Sequence, residues 1–229
     1  MKIKKIQNQY GLRAEEVPQL MLTHGVEYQK VACVNWPKEF PYAPKMEVAL
    51  AHTGDSLLLH YRVEEDCIRA AAEADGGRVW EDSCCEIFLQ PSSPNTQHPT
   101  PYFNIECNCA GTLLIGKGED RHDRQPATAK TLQSANRWSS LMKSAVSGKN
   151  GRYTIPLKDG KFTWHMALVV PATALFDSGI TDFSGQTMRG NIYKCGDCLT
   201  TPHFLSLFPI ETDQPDFHRP EFFREFTFE

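Results

Sequence analysis

The sequence predicts a mainly β protein in which two antiparallel sheets pack face to face as a sandwich. Three observations support this fold class. Apolar and polar residues alternate in about eight separate runs, turn-forming residues divide those runs, and helical periodicity is scarce. Strands with one apolar face can bury those faces against each other in two layers. We therefore expect a mainly β, antiparallel β-sandwich with few short helices.

The first two strands are predicted as a hairpin over residues 47–51 and 57–63. The intervening residues 52–56 contain Gly54 among polar turn formers. Odd-numbered residues of the second run are apolar and share one face, because successive side chains of a strand point to opposite sides. The other face of that strand carries Leu58, His60 and Arg62.

The same alternation continues through residues 86–89 and 102–108, whose apolar positions predict an inner sheet face. The polar positions of these two runs and Arg62 of the second strand predict one shared polar sheet face. Its members are Arg62, Glu86, Asn104 and Glu106. Further strands are predicted at residues 111–116, 162–170, 189–195 and 204–210.

Helix is expected in two short places only. Residues 171–176 begin with Pro171 and predict a helical turn, and the acidic start of residues 63–74 is typical of a helix N-terminus. The polar residues 117–135 predict a long excursion over one end of the sandwich.

The chain is predicted to form a single domain over residues 45–229, preceded by an extended strap. Four prolines lie within residues 1–44, at positions 18, 37, 41 and 44, and favour extended backbone there. No internal repeat or Ser/Gly-rich linker indicates a second domain.

Charge and hydropathy exclude two classes of partner. The formal net charge is −4, the pI is near 6.1 and no basic tract is present, which argues against nucleic acid. No apolar run reaches the roughly 20 residues of a membrane helix. The first nine residues lack the apolar core of a leader, so a cytoplasmic location is favoured, or a periplasmic or secreted one if a leader was removed.

The eight cysteines are interpreted as free thiols. Cys107 and Cys109 are in phase with apolar residues of a predicted strand and are expected to act as small core hydrophobes. Cys195 and Cys198 have a metal-knuckle spacing, but no second ligand pair completes a structural zinc site. Leu199 stands where a c-type haem attachment motif needs His, which excludes that group.

The most informative segment is residues 80–89, which sets an indole and three carboxylates at the start of a strand. The C–H faces of a pyranose stack on tryptophan, while its hydroxyls need acceptors such as Asp or Glu. This pattern favours a sugar site at Trp80. A second interpretation is open, in which Trp80 closes one end of the core and Asp82 caps a turn.

Four segments in this order make the chain resemble the carbohydrate-binding module family 9-like proteins: residues 80–89, 102–108 with Gly111, 185–197 and 215–223. The resemblance covers about residues 45–229. It implies a non-catalytic β-sandwich of the Ig-like or DOMON-like kind that binds the end of a glucan or xylan chain. It also implies that calcium braces the loops, and it requires no further cofactor.

In that family the sugar lies between two tryptophans and is bonded by a Glu and an Arg. By position Trp80 matches the first tryptophan and Glu86 the glutamate. The second tryptophan has no counterpart near residues 206–209, where Phe208, or Phe204 just before it, could take its place. The strand after Glu86 holds no arginine, and Arg62 could supply the charge.

The function predicted is therefore non-catalytic binding of an oligosaccharide or polysaccharide, stacked on an aromatic side chain and hydrogen-bonded by carboxylates and amides. No catalytic residue is predicted and no metal ligand is assigned. The predicted contact residues are Trp80, Asp82, Glu86, Arg62, Asn104, Glu106, Asn191, Lys194, His203 and Phe208. Arg121 and Arg124 are interpreted as solvated loop residues, with contact to an anionic sugar as the alternative.

Three other functions stay open on sequence grounds. A glycosidase could use Asp82 and Glu86 with Glu106 as acid and base, since such enzymes need two facing carboxyl groups. A haem-binding DOMON-like module could use a Met and a His, and the candidates are Met166, Met188, His165 and His203. A sandwich without ligand binding could serve protein interaction alone.

Overall fold

The structure is a computed structural model that describes residues 1–7, 11–92, 100–142, 146–147 and 153–229. Antiparallel strands are its main regular secondary structure. The described strands are β1 (Lys2–Lys5), β2 (Gln29–Lys30), β3 (Cys33–Val34), β4 (Lys45–His52), β5 (Ser56–Ala70), β6 (Cys84–Pro91), β7 (Tyr102–Asn108), β8 (Leu113–Gly118), β9 (Gln125–Pro126), β10 (Asn136–Ser139), β11 (Val146–Ser147), β12 (Tyr153–Pro171), β13 (Thr187–Cys195), β14 (Phe204–Ser206) and β15 (Arg224–Phe228). The described α-helices are α1 (Val17–Thr23) and α2 (Ala129–Ser134). Neither of these helices has the length and apolar character needed to cross a membrane.

The strands form two layers. Sheet I has the order β9-β8-β7-β6-β13-β15, with β14 paired to β13 and β3 paired to β14. Sheet II has the order β10-β12-β5-β4, with β2 on β4 and β11 on β12. Strand β1 joins the layers, because Lys2 and Ile3 pair in parallel with β15 while Lys4 and Lys5 pair in parallel with β4.

The main core lies between the two sheets. The residues in it confirm which face of each strand the sequence predicts to be buried. From sheet II, the odd-numbered residues from Leu57 to Val63 are at most 1% exposed. From sheet I the inner residues are Ile87, Leu89, Phe103, Ile105 and Cys107. Burying each of these larger side chains contributes about 1.5 to 3 kcal/mol, which makes this face-to-face contact the main source of stability. The predicted β-sandwich is confirmed.

The outer faces of both sheets are covered as well. Helix α1 packs Val17 and Met21 over outward apolar residues of β4, β5 and β12, namely Ala49, Ala51, Leu58 and Ala167. On sheet I, the segment before β15 covers the outer face, and its Phe217 ring stacks on Tyr193 at 4.2 Å between centroids and 8° between planes. Each sheet nevertheless keeps an open part: a pocket lined by Glu47, Arg62 and His165 on sheet II, and on sheet I the cleft described below.

The predicted helix over residues 63–74 is wrong. Strand β5 continues to Ala70 and pairs with β12 through register pairs such as Glu65 with Phe162 and Val63 with Trp164. Burial alternates along this stretch, with Glu64 and Asp66 exposed and Glu65 buried. The acidic start resembled a helix N-terminus, but cross-strand pairing decided the conformation.

Other local predictions have mixed outcomes. The turn at 171–176 is confirmed as a single 3₁₀ turn at Ala172–Ala174. The stretch 117–135 contains β9 and α2 rather than irregular backbone alone, and the predicted strand at 204–210 ends at Ser206. Within the first 44 residues, β1 to β3 and α1 join the sheets or cover them. The domain boundary at residue 44 stays a prediction.

Candidate functional site

A cleft of about 460 Å³ opens on the outer face of sheet I. Its floor is formed by outward side chains of β6 and β7. Its walls come from the 3₁₀ turn at Val79–Glu81, the loop before β9, β14 and the segment 215–218. Several predicted contact residues meet here, namely Trp80, Glu86, Asn104 and Glu106.

Antiparallel register brings the polar floor together. Glu86 on β6 is the direct partner of Glu106 on β7, and Asn104 lies two residues before Glu106 on the same face. All three side chains are at most 4% exposed. Gly116 on β8 is the partner of Asn104, and a Cβ there would lie 2.6 Å from Asn104 Oδ1. Glycine at position 116 is therefore needed for the Asn104 amide to lie on the floor.

The two floor carboxyl groups are desolvated and unevenly paired. The Asn104 Nδ2 amide donates to Glu106 Oε1 at 2.7 Å, while Glu106 Oε2 has no hydrogen-bond partner among the described residues. Desolvation raises the pKa of Glu106 to about 7. Desolvation, and then the Glu106 carboxyl, raise the pKa of Glu86 well above its usual range. Burial and mutual repulsion thus favour protonation of this pair, and a protonated carboxyl beside its neighbour offers donor as well as acceptor oxygens.

Arg124 contributes the positive charge of the cleft. Its guanidinium stacks over the Tyr102 ring at 4.3 Å and donates to Asn104 Oδ1 and to the Tyr102 carbonyl at 3.1 Å. Its buried Nε has no partner among the described residues. The interpretation of Arg124 as a solvated loop residue is wrong, because folding of the 120–126 loop brings it onto the floor. Arg121, by contrast, is exposed and lies 3.6 Å from Asp216.

Aromatic surface lines the walls. Trp80 is half-buried, and the Arg78 guanidinium lies 5.6 Å from its ring. Phe204 and Phe217 also line the cleft. Of the two phenylalanines suggested in place of the second tryptophan, Phe204 is therefore at the cleft and Phe208 is not.

Arg62 lies on the other sheet. Its register partners are Glu47 and His165, and its guanidinium stacks 3.7 Å from the Tyr28 ring. The predicted polar face shared by Arg62 with the floor residues is wrong, because β5 belongs to sheet II while β6 and β7 belong to sheet I.

Asp82 is fully buried and has a structural role behind the cleft, which it does not line. Its carboxylate accepts hydrogen bonds from the Ala71 and Ala72 backbone N–H groups at 2.9 and 3.1 Å and from Asn108 Nδ2 at 2.9 Å. The Arg69 guanidinium lies 3.0 Å away. These bonds fix the 3₁₀ turn of Trp80 to the end of β5 and to β7, so Asp82 positions the cleft wall from behind.

Lys194 and His203 point between the sheets and away from the cleft. Lys194 Nζ lies 2.9 Å from Glu65 Oε2 and 2.9 Å from His203 Nε2, and Trp164 Nε1 donates to Glu65 Oε1 at 2.7 Å. Burial alone would lower the pKa of Lys194, but the Glu65 carboxylate outweighs it and raises that pKa. Burial and then Lys194 lower the pKa of His203, which accepts as a neutral imidazole.

Asn191 and Phe208 form a local structural contact. Asn191 Nδ2 donates to the Phe208 carbonyl at 3.0 Å, and Asn191 Oδ1 accepts from the Phe208 N–H at 3.0 Å. Phe208 packs against Phe226 at 6.1 Å between ring centroids. Both residues thus hold the turn after β14.

The residues considered for haem do not converge. Met166 and Met188 are buried in the core between the sheets. Both ring nitrogens of His203 lie within hydrogen-bond distance of a partner, Lys194 Nζ or the Thr201 carbonyl. His165 Nδ1 lies 3.2 Å from His60 Nε2.

Comparison with known proteins agrees with this architecture. The profile described as Carbohydrate-binding family 9 matches residues 15–228, and the chain belongs to that family. A crystal structure of a protein from Bacteroides uniformis ATCC 8492, provisionally described as a carbohydrate-binding protein, shares 41% identity and a TM-score of 0.90. That match covers 100% of this chain and 98% of the other.

Two more distant structures show the same fold. Both are family 9 carbohydrate-binding modules from Caldicellulosiruptor kristjanssonii, one in complex with glucose and one with cellotriose. Their identities are 13% and 12% and their TM-scores 0.52 and 0.53. Both matches cover 100% of this chain. They cover 95% of the chain bound to glucose and 94% of the chain bound to cellotriose. No curated protein matches the chain at a significant level.

Proposed function

We propose that this protein binds an oligosaccharide or the end of a polysaccharide in the cleft of sheet I, without catalysing its cleavage. A sugar ring stacks on Trp80, and its hydroxyls bond to the floor through Glu106, Arg124, Glu86 and Asn104. Membership of Carbohydrate-binding family 9 and the glucose and cellotriose complexes of distant relatives support this class of ligand.

One observation carries the proposal: two buried polar atoms without a partner in the described chain, Glu106 Oε2 and Arg124 Nε, belong to side chains that line one cleft. The other such atoms, on His52, Tyr61, Arg62 and Glu65, belong to residues outside that lining. A buried donor or acceptor without a partner costs about 1 to 3 kcal/mol, so such groups are rare unless something else satisfies them. A sugar hydroxyl is both donor and acceptor and can pair with either atom. The aromatic wall at Trp80 supplies the complementary apolar contact.

Isothermal titration calorimetry with glucose, cellotriose, xylan and pectic oligosaccharides tests the proposal. We expect Trp80→Ala to weaken binding by about 1 to 3 kcal/mol, because the stacking surface is lost. The matched control is Trp138→Ala, which removes a half-buried tryptophan from β10 of the other sheet. Equal losses in both variants, or a large fall in melting temperature with Trp80→Ala alone, would instead place Trp80 among the stabilising residues.

A glycosidase is the second candidate, and the pairing of Glu86 with Glu106 favours it. A carboxyl with a pKa near 7 suits a general acid, and its neighbour could serve as base or nucleophile. Asp82 has no place in that scheme, because four hydrogen-bond or ion-pair contacts hold it behind the wall. Hydrolysis of aryl glycosides that is lost in Glu86→Gln would establish the enzyme.

Calcium is proposed from the family resemblance alone. The group of three possible metal-ligating side chains that the described residues bring together is Cys84, Glu86 and Cys195. Two sulfurs do not suit calcium, which prefers six to eight oxygen ligands. No calcium ligand is therefore assigned. The cytoplasmic location and the lack of nucleic-acid or membrane partners stay predictions from sequence.

A further inference from the structure

Three potential metal ligands meet at the floor of the cleft. Cys84 and Glu86 are two positions apart on β6 and so share its outer face, and Cys195 on β13 is the register partner of Cys84. The two Sγ atoms and a carboxylate oxygen all lie within 4.8 Å of one another. We propose that these three residues, the Cys–Glu triad, bind a thiophilic divalent cation of the Zn²⁺ type.

The spacing fits a single small ion. A Zn²⁺ ion lies about 2.3 Å from sulfur and about 2.1 Å from oxygen, so tetrahedral ligands around it are about 3.6 Å apart. Cys195 Sγ now donates to Glu86 Oε1 at 2.8 Å. Small side-chain rotations would open this contact while the strands stay paired.

The electrostatic surroundings favour a cation. Within the described part of the chain, no Lys or Arg forms an ion pair with Glu86, whose side chain is buried. Glu106, its cross-strand partner, has a second buried oxygen without a partner. A bound divalent ion would supply the positive partner that Glu86 lacks among the described residues, and it would displace the protons of its ligands.

The cleft gives an ion access. Glu86 and Cys195 line the cleft, while Cys84 lies fully buried behind them. Three protein ligands would leave the fourth tetrahedral position directed to the cleft, where water or a ligand oxygen can occupy it. Two sulfur ligands select Zn²⁺ over Ca²⁺ or Mg²⁺.

A competing pair of ligands supplies the control. Cys195 and Cys198 have knuckle spacing in the sequence, but Cys198 is exposed and is not part of the triad. The two hypotheses share Cys195 and differ in Cys84 and Cys198. Substituting those two cysteines separately therefore distinguishes the sites.

The test uses the full chain, which is first reduced and stripped of metal. Under anaerobic conditions it is then titrated with Co²⁺ and afterwards with Zn²⁺. We expect one equivalent of Co²⁺ to give a thiolate-to-cobalt charge-transfer band and visible bands of tetrahedral cobalt, both lost when Zn²⁺ displaces it. Cys84→Ser and Cys195→Ser should each lower the charge-transfer intensity by about half, because one of two thiolates is lost, and weaken binding at least about tenfold. Cys198→Ser should leave both unchanged.

Absence of these bands in the native chain would overturn the proposal, and so would their loss in Cys198→Ser together with retention in Cys84→Ser. If the serine variants fail to fold by circular dichroism, Glu86→Gln decides. That variant keeps both sulfurs and should bind Co²⁺ about tenfold more weakly; unchanged affinity would overturn the triad. The readout contains no sugar, so its outcome is independent of the proposed carbohydrate binding.

Discussion

Two polar clusters of this sandwich are both shielded from bulk water, yet they differ in how their hydrogen bonds are completed. The interlayer cluster consists of Glu65, Trp164, Lys194 and His203, and the cleft cluster consists of Glu86, Asn104, Glu106 and Arg124. In the first, Lys194 Nζ lies 2.9 Å from Glu65 Oε2 and compensates its charge, although that oxygen accepts no hydrogen bond of good geometry from the described residues. Trp164 donates to Glu65 Oε1, and Lys194 also contacts His203. In the second, Glu106 Oε2 and Arg124 Nε have no partner among the described residues.

This difference separates structural polar groups from ligand-binding ones. A buried polar network whose opposite charges compensate each other fixes the packing of its neighbours and leaves no uncompensated charge to attract a ligand. A network with unpaired atoms facing a cleft is stable only because its cost is small compared with the whole fold, and a ligand can supply the missing bonds. The interlayer cluster therefore holds the sheets together, while the cleft cluster is suited to recognition.

The largest expected effect comes from breaking the interlayer cluster. Lys194→Met keeps an unbranched side chain but leaves Glu65 as an uncompensated buried charge. We expect a loss of about 3 to 5 kcal/mol in the free energy of unfolding, measured by urea denaturation. The double variant with Glu65→Met should regain much of that stability, because both charges are then gone. An unaffected single variant would mean that the pair is solvated.

The same change of residue type in the cleft should act on binding instead. Arg124→Met removes the guanidinium that contacts Asn104 and Tyr102 at the floor. If the proposed function holds, we expect sugar affinity to fall by about 1.5 to 3 kcal/mol, the range for hydrogen bonds to charged groups, with a smaller change in unfolding free energy. Arg224→Met, at an exposed position of β15 that does not line the cleft, is the control. Equal effects of the two substitutions on binding would remove Arg124 from the site.

Alternation along strands predicted the inner faces because burial on one side of a sheet imposes a period of two. The same reasoning places Lys194 inward, since it is two residues from the buried core residue Ile192, and this signal was available in the sequence. Arg124 could not be found in that way. It lies in a loop without periodicity, and its position depends on how residues 120–126 fold back over Tyr102.

The helix wrongly expected over residues 63–74 has a related cause. Its acidic residues suit a helix N-terminus when considered locally, but Glu65 is the partner of Trp164 and Lys194 in the interlayer cluster. That interaction joins β5 to residues about 100 and 130 positions later in the chain, which a local pattern cannot contain. Long-range pairing therefore decided the conformation of a segment whose local signal was ambiguous.

The smallest expected effect concerns His60, a buried and paired group of sheet II outside both clusters. Its Nδ1 lies 2.5 Å from the Tyr28 hydroxyl and its Nε2 lies 3.2 Å from His165 Nδ1, with the Arg62 charge nearby. Burial, and then the charges of His165 and Arg62, lower the pKa of His60 to about 3. His60 thus stays neutral in the folded protein at pH values where the unfolded chain binds a proton.

Stability from this group is therefore fully present above the unfolded pKa of about 6.5 and is lost as pH falls toward 3. At pH 5.5 the loss should be about 1.4 kcal/mol relative to neutral pH, before other groups are counted. The Asn side chain of His60→Asn does not titrate in this range. Between pH 7.5 and 5.5 the free energy of unfolding of this variant should therefore fall by about 1.4 kcal/mol less than that of the native protein. If the free energies of unfolding of the two proteins fall equally with pH, His60 is protonated in the folded protein. In that case a paired buried group can still respond to acid.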